Sequence, residues 1–155
     1  MTPGMAASWN GSRTPRSYPV HVALRCLLVD DNPGFLRAAR GLLEQEGLQV
    51  VGVASTGAEA VRRVADLHPD VTIIDIGLGA ESGFDVARRL FDDPSVDPGQ
   101  LILISAQAED DFGDLIEESP AVGFLVKPAL SAAAIRSLLG PPGDARDRTG
   151  EPVGR

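Results

Sequence analysis

The sequence is poor in cysteine and in long apolar runs, and each shortage excludes a class of protein. Cys26 is the only cysteine, so no disulfide can form within the chain, which favours the reducing cytoplasm as its compartment. No apolar run approaches the ~20 residues that a membrane-spanning helix needs. The N-terminal residues also lack the continuous apolar segment of a secretory signal. With 43% hydrophobic and 23% charged residues, the chain has the composition of a globular domain.

Positive charge is also scarce, and it is unevenly distributed. The net charge is −8, although residues 1–23 carry +2 and residues 141–155 are neutral, so residues 24–140 hold −10. Because an acidic body repels phosphate backbones, we expect no direct binding to nucleic acid. Nothing indicates a membrane partner. Lys127 is the only lysine, beside thirteen arginines.

The chain divides into one domain and two tails. Residues 1–23 are rich in Pro, Gly, Ser and Thr without periodicity, which predicts a disordered leader. Pro141-Pro142 ends the last helical pattern, and residues 141–155 are predicted to be a disordered C-terminal tail. Residues 24–140 are predicted to form a single folded domain.

Within this domain, short apolar runs alternate with amphipathic segments. Strands are predicted at 24–30, 48–54, 71–75, 101–105 and 123–127. Helices are predicted from Asn32-Pro33 to Gly47, from Thr56 to His68, and at 83–91, 109–118 and 131–139. In the first helix, Phe35, Ala39, Leu42 and Leu43 are expected to share the buried face. Five apolar strands alternating with helices predict a doubly wound α/β fold with a parallel sheet covered on both faces.

Polar residues follow four of the five predicted strands. They are Asp30-Asp31, Asp75, Ser105 and Lys127-Pro128. Taken singly, such residues are commonly helix caps or solvated turn residues. In a doubly wound fold, however, the carboxyl ends of the strands meet at the edge where ligands bind. Their coincidence at one edge therefore indicates a site.

The residue types at this edge suit phosphoryl transfer. Three converging carboxylates repel one another unless a cation neutralises them, and Mg²⁺ does so with only one or two direct carboxylate ligands. A carboxylate can serve as a nucleophile that forms an aspartyl phosphate. A lysine offers a compact charge and a serine a hydroxyl to the phosphate oxygens. The set therefore predicts metal-assisted phosphorylation of a carboxylate.

Four segments carry a family resemblance: LLVDDNP, VTIIDIGL, LILISA and GFLVKP. In this order they resemble the receiver domain of two-component response regulators, of the CheY-like kind. The intervals of 44 residues from Asp31 to Asp75, 30 to Ser105 and 22 to Lys127 are similar to those of the family. The resemblance covers roughly residues 24–140. It implies a flavodoxin-like three-layer (βα)5 sandwich whose five-stranded parallel sheet has the order 2-1-3-4-5.

The resemblance also implies a role for each residue at the edge. Asp75 would be the phosphoacceptor. Mg²⁺ would be held by Asp31 directly, by Asp30 mainly through water, by Asp75, and by the backbone carbonyl of Gly77. Lys127 would contact the phosphoryl group and the Asp75 carboxylate.

Further positions of the family pattern concern the switch. Ser105 would bond a phosphoryl oxygen and Phe124 would be the aromatic switch residue that follows it. Ala106, Gln107 and Pro128 are secondary positions, and the Lys127–Pro128 bond is expected to be cis. Glycine at positions 77 and 79 and glutamine at 107 depart from common family residues, without removing one that the chemistry needs.

The expected function is that of a stand-alone response regulator, not an enzyme, which assists its own phosphorylation and dephosphorylation. It would take its phosphoryl group from a histidine kinase or phosphotransfer protein. It would signal through a phosphorylation-dependent contact with a downstream protein, with the acidic fourth helix as a candidate docking face. One alternative is a receiver-like scaffold or dimerisation module that is not phosphorylated. Another is a phosphohydrolase, although Gly77 stands where such enzymes typically carry a second acid.

Overall fold

The structure is a computed structural model that describes residues 23–140; the predicted leader at 1–23 and tail at 141–155 lie outside that range, apart from residue 23. Its sheet strands are β1 (Arg25–Val29), β2 (Gln49–Ala54), β3 (Val71–Asp75), β4 (Gln100–Ser105) and β5 (Gly123–Val126). Its helices are α1 (Pro33–Gln45), α2 (Gly57–Leu67), α3 (Gly83–Asp92), α4 (Gly113–Glu118) and α5 (Ala132–Leu139). Most predicted boundaries differ from these by one or two residues, as helix and strand ends commonly do.

The five strands form one parallel sheet of order β2-β1-β3-β4-β5. This confirms the predicted doubly wound fold and its strand order. The chain returns to the middle of the sheet between β2 and β3, so the order reverses beside β1 and β3. The carboxyl ends of these two strands therefore border the crevice in which such folds bind ligands.

Both faces of the sheet are covered by helices. Successive residues of a strand point to opposite faces, so each strand contributes to two cores. Cys26 and Leu28 of β1 face one core, and Leu27 and Val29 face the other. The first core includes side chains of α1 and α5, and the second includes those of α2 and α3. Cys26 is wholly buried, and burial raises the pKa of its thiol to about 12.

The buried face of α1 differs from the one predicted. Leu36, Ala39 and Leu43 are the buried residues of this helix, whereas the Leu42 side chain is 38% exposed. The spacing of i, i+3 and i+7 places the buried three on one stripe, and Leu42 lies beside that stripe. Phe35 packs against the core while partly exposed, close to the edge where the strands end.

The fourth helix is shorter than the predicted 109–118. A 3₁₀ turn at Glu109–Asp111 precedes α4, which begins at Gly113 and has six residues. Phe112 at its N-cap offers no side-chain hydrogen bond, and α4 contributes no buried residue to the core. Glycine at its first position weakens it further. The local sequence therefore does not favour one continuous helix over residues 109–118.

No helix among residues 23–140 is both long enough and apolar enough to cross a membrane.

The corrected face of α1 can be tested with two adjacent leucines. Leu43 is fully buried, so Leu43→Ala should lower the free energy of unfolding by about 2–5 kcal/mol through lost burial and a residual cavity. Leu42→Ala should cost about 0.5 kcal/mol or less, as at most surface positions. Urea unfolding followed by circular dichroism measures both. Equal losses of unfolding free energy in the two variants would show that Leu42 belongs to the buried face.

Candidate functional site

Two carboxylates are placed side by side by neighbouring strands. Asp30 directly follows β1 and Asp75 ends β3, and these strands pair in register up to Val29 and Ile74. Asp30 is completely buried and Asp75 is 7% exposed, while Asp31 is exposed at the rim. Oxygen atoms of the three carboxylates lie within 4.8 Å of one another. The predicted acidic cluster is therefore assembled in the structure.

Lys127 neutralises part of this charge. Its Nζ atom lies 2.7 Å from Asp30 Oδ2 and 3.3 Å from Asp75 Oδ2. Asp30 Oδ2 accepts no well-aligned hydrogen bond from the described residues, so this ammonium group is its electrostatic partner. The same Nζ lies 4.4 Å from the centre of the Phe35 ring, a geometry that favours a cation.

Backbone amides hold the other oxygen of each buried carboxylate. Asn32 donates its N–H to Asp30 Oδ1 at 2.9 Å, and Gly77 donates its N–H to Asp75 Oδ1 at 3.2 Å. Lys127 thus meets the Oδ2 atoms and the backbone meets the Oδ1 atoms. Ser105, at the end of β4, is buried, and its Oγ accepts the N–H of Gln107 at 2.9 Å.

The protonation of this cluster follows from burial and from its charges. Burial raises the pKa of Asp75 above its ordinary value, and the charge of Asp30 adds to that rise; the Gly77 N–H and Lys127 oppose it without reversing it. Burial alone would lower the pKa of Lys127. The close contact with the Asp30 carboxylate and its charge, together with Asp75, outweigh that effect and raise the pKa of Lys127. The lysine therefore stays cationic, while Asp75 carries a charge that its surroundings do not fully offset.

The donor set fits a small divalent cation. The available ligands are oxygens from Asp30, Asp31 and Asp75, which are hard ligands of the type that Mg²⁺ prefers. Asp31 is exposed and could keep bound water at the rim. The turn that follows Asp75 lies close by, since a Cβ built on Gly79 would be 3.2 Å from Asp31 Oδ2. The residues present therefore fit the predicted cation.

A cavity of about 490 Å³ opens beside Asp75. Its polar wall includes Asp75, Ser105, Gln107 and Lys127, joined by the predicted positions Gly77 and Ala106. Its apolar wall is formed by Phe84, Phe112 and Leu115, with the Phe84 and Phe112 rings 6.3 Å apart. A Cβ built on Gly77 would meet no atom within 4 Å, so the missing side chain leaves open space beside the phosphoacceptor candidate.

Two switch predictions have different outcomes. Phe124 lies in β5, partly buried against the α2–α3 core, and its switch role remains a prediction. The expected cis bond at Lys127–Pro128 is wrong, because no peptide bond within residues 23–140 is cis. A trans bond is the ordinary preference before proline, and Pro128 occupies the middle of a 3₁₀ turn at Lys127–Ala129.

Sequence reasoning missed the residues that surround the charged groups. Phe35 lies under Lys127, and Phe84, Phe112 and Leu115 close one side of the cavity. Phe35 lies in the first turn of α1, which begins two residues after Asp31, and that closeness in sequence could have placed it near the site. The apolar wall comes from α3 and from the residues around the start of α4, so it depends on how the helices pack.

Residues 26–139 match the family described as the response regulator receiver domain. The chain belongs to this family. Receiver domains are phosphorylated on an aspartate, bind Mg²⁺ at an acidic pocket, and interact with histidine kinases or phosphotransfer proteins and with downstream effectors. In this chain Asp30, Asp31 and Asp75 form an acidic cluster where the strands end.

Individual relatives agree with this assignment. The receiver domain is similar to a protein-glutamate methylesterase/protein-glutamine glutaminase of Hahella chejuensis, at 34% identity over 107 residues, covering 66% of this chain and 29% of that protein. It is similar to the response regulator GacA of Pseudomonas viridiflava at 29% identity, covering 74% of this chain and 53% of that one. The chain thus spans about half or less of the length of these curated relatives.

A solved structure shows the same fold. The signal receiver domain of the response regulator NarL from Mycobacterium tuberculosis superposes with a TM-score of 0.64 at 26% identity. The match covers 77% of this chain and 98% of that one. The likeness therefore extends over an entire receiver domain.

Because Asp75 is buried beside the charge of Asp30, we predict that its carboxylate destabilises the folded protein. Asp75→Asn removes a buried carboxylate whose pKa is raised, so the free energy of unfolding without Mg²⁺ should increase by about 1 kcal/mol, as when function and stability oppose each other. Asp66→Asn, an exposed acid on α2, is the matched control and should change it by less than about 0.5 kcal/mol. Thermal unfolding in EDTA measures both. A destabilised Asp75→Asn variant would contradict the reasoning.

Proposed function

We propose that this chain is a response regulator whose Asp75 accepts a phosphoryl group from a histidine kinase or phosphotransfer protein. The observation that carries the proposal is the bridge made by Lys127, whose Nζ reaches Asp30 and Asp75 together at 2.7 and 3.3 Å. A structural ion pair needs one carboxylate for one ammonium group. Here a single cation serves two buried acids beside an open cavity, an arrangement suited to an incoming phosphate.

The proposed transfer uses each residue in a definite way. An Asp75 carboxylate oxygen attacks the phosphorus atom, a new P–O bond forms, and the P–N bond to the donor histidine breaks. The donor imidazole leaves with the electron pair of that bond and takes up a proton. Lys127 and the hydroxyl of Ser105 then bind the phosphoryl oxygens. Because Ser105 Oγ currently accepts the Gln107 N–H, its own hydrogen remains available for donation.

The cation would be held by Asp31, Asp75, the carbonyl of Gly77 and, through water, Asp30. When bound, Mg²⁺ supplies charge neutralisation on the transferring oxygens. Asp30 keeps Lys127 oriented toward Asp75, and the Gly77 N–H fixes the Asp75 carboxylate. The chain's own residues thus orient the nucleophile before the donor arrives.

Phosphorylation is tested by intact mass after incubation with Mg²⁺ and acetyl phosphate. The unmodified sequence should gain one phosphoryl group, and it should gain none in EDTA or as Asp75→Asn. Asp66→Asn, exposed and outside the cluster, should still be modified. If candidate histidine kinases also fail to modify the protein, the alternative of an unphosphorylated scaffold takes its place.

We further propose that the receiver's own surface carries the output, through a protein contact at the fourth helix. The 3₁₀ turn and α4 carry Asp110, Asp111, Asp114, Glu117 and Glu118, all exposed. No basic residue lies in the last turn of α4, so a partner should be basic where it docks. The acidity of this face also disfavours nucleic acid as the partner. We propose the cytoplasm as the compartment in which donor kinases would reach the protein.

If α4 carries the output, its stability should change when Asp75 is phosphorylated. The helix is short, uncapped by a side chain and without buried residues, so its amides should exchange quickly in the unmodified protein. Phosphorylation of Asp75 should change the exchange rates across Asp110–Ile116. Hydrogen exchange with mass spectrometry, with α1 as internal reference, makes the comparison. Slow exchange through this segment that stays the same after phosphorylation would contradict it.

A further inference from the structure

A short hairpin follows the phosphoacceptor candidate and borders the site on two sides. Gly77–Leu78 pairs antiparallel with Glu81–Ser82, and the intervening Gly79 adopts a left-handed conformation with φ of 61°. The Gly77 N–H holds Asp75 Oδ1. Gly79 approaches the Asp31 carboxylate so closely that a Cβ there would lie 3.2 Å from Oδ2. The hairpin therefore orients one carboxylate of the proposed cation site and lies close to a second.

Two residues of pairing cannot hold a hairpin in place alone. Its second strand leads directly into α3, whose first residue Gly83 donates its N–H to the Ile76 carbonyl at 2.8 Å. Gly83 lies so near the strand end that a Cβ would clash with the Asp75 carbonyl. These contacts fix the base of the hairpin. They do not connect the hairpin to α2.

Glu81 makes that interaction. Its carboxylate accepts the Gly57 N–H, with Oε1 at 3.0 Å and Oε2 at 3.4 Å. Gly57 is the first residue of α2, where backbone N–H groups lack acceptors within the helix. The positive end of the helix dipole lies there as well and stabilises a carboxylate. A Cβ on Gly57 would clash with Glu81 Oε1 and would lie 2.9 Å from Cγ2 of the buried Val86, so an alanine here would displace the Glu81 carboxylate.

We propose that Glu81 is a positioning residue that ties the hairpin after Asp75 to the start of α2 and thereby preorganises the cation site. This inference rests on the proposed Mg²⁺ site and adds a residue to it. Because Glu81 lies outside the group of Asp30, Asp31, Asp75 and Lys127, it acts through the hairpin backbone and touches neither cation nor phosphoryl group. By reciprocity, occupancy of the site should also stabilise the contact at Gly57.

The same helix terminus supplies a matched control. Glu59 also accepts a backbone N–H at the start of α2, that of Ser55 at 2.9 Å. It belongs to the capping box formed with Thr56 and has no contact with the hairpin in the hydrogen bonds of the described residues. Glu59→Ala therefore removes a comparable stabilisation of α2 without releasing the hairpin.

The first measurement is the dissociation constant for Mg²⁺, by titration calorimetry on the full chain. Glu81→Ala should weaken Mg²⁺ binding about tenfold, the lower end for residues that support a metal ligand from outside. Gly57→Ala should also weaken Mg²⁺ binding. The double variant Glu81→Ala/Gly57→Ala should bind Mg²⁺ no more weakly than the weaker-binding single variant. Glu59→Ala should leave the constant within twofold of the unmodified chain while lowering the melting temperature.

A second readout separates positioning from folding. In the unmodified chain, Mg²⁺ should slow hydrogen exchange at the Gly57 amide, and it should not do so in Glu81→Ala. Glu81→Gln, which keeps an acceptor oxygen, should recover part of both effects and serves if the alanine variant does not fold. Equal Mg²⁺ constants for Glu81→Ala and Glu59→Ala would overturn the proposal alone. Failure of the unmodified chain to bind Mg²⁺ would overturn the cation site and this proposal with it.

Discussion

Every feature of the site depends on one electrostatic constraint: two carboxylates are buried side by side with one ammonium group between them. Asp30 and Asp75 are held there by neighbouring strands. Lys127 meets one oxygen of each. Without Lys127 the two buried carboxylates would have no cation between them, and buried charge left uncompensated is costly. The cluster therefore stays together, and its remaining imbalance is what makes it receptive to a cation.

The fold supplies the positions, and the backbone supplies the orientation. Parallel strands bring their carboxyl ends to one edge whatever their sequences, so the order β2-β1-β3-β4-β5 alone brings Asp30 beside Asp75. The direction of each carboxylate is set more locally, by the N–H groups of Asn32 and Gly77. Both donors stand two residues after the acid that they hold. This short spacing makes each orientation a property of the turn itself.

The same distinction explains how much could be predicted from the sequence. Chain order and apolar runs are enough to locate the strand ends, and they assign five residues to one edge: Asp30, Asp31, Asp75, Ser105 and Lys127. Features that depend on side-chain packing were not accessible in this way. The exposure of Leu42 depends on how α1 packs on the sheet, whereas the break before α4 has a local cause in the uncapped Phe112 and in Gly113. A periodic pattern leaves such details open because neighbouring stripes of a helix differ by a single residue.

Contacts between distant segments were the least predictable. Glu81 and Gly57 are separated by 24 residues, and nothing in either segment signals that a carboxylate meets a helix terminus. The Lys127–Pro128 bond was assigned from family resemblance, and the structure has the ordinary trans form. Phe124 was likewise assigned from resemblance; it is partly buried against the α2–α3 core, and its switch role stays a prediction. Resemblance transfers the charged groups more reliably than the conformations around them, because the chemistry constrains the former directly.

The charge balance also determines how the site must respond when it is used. With all groups ionised, three carboxylates and one ammonium group leave an excess of negative charge, which a divalent cation offsets. In the proposed transfer, phosphorylation of Asp75 would replace a carboxylate by a more negative acyl phosphate, and Lys127 would be the cation already within reach. Its Nζ also lies against the Phe35 ring at the start of α1, and Lys127 is itself the first residue of the turn that leads to α5. A shift of Lys127 toward the proposed phosphate would therefore change its contacts with Asp30 and Phe35. Through Phe35 and the turn that Lys127 begins, that shift would act on segments next to both helices of the first core.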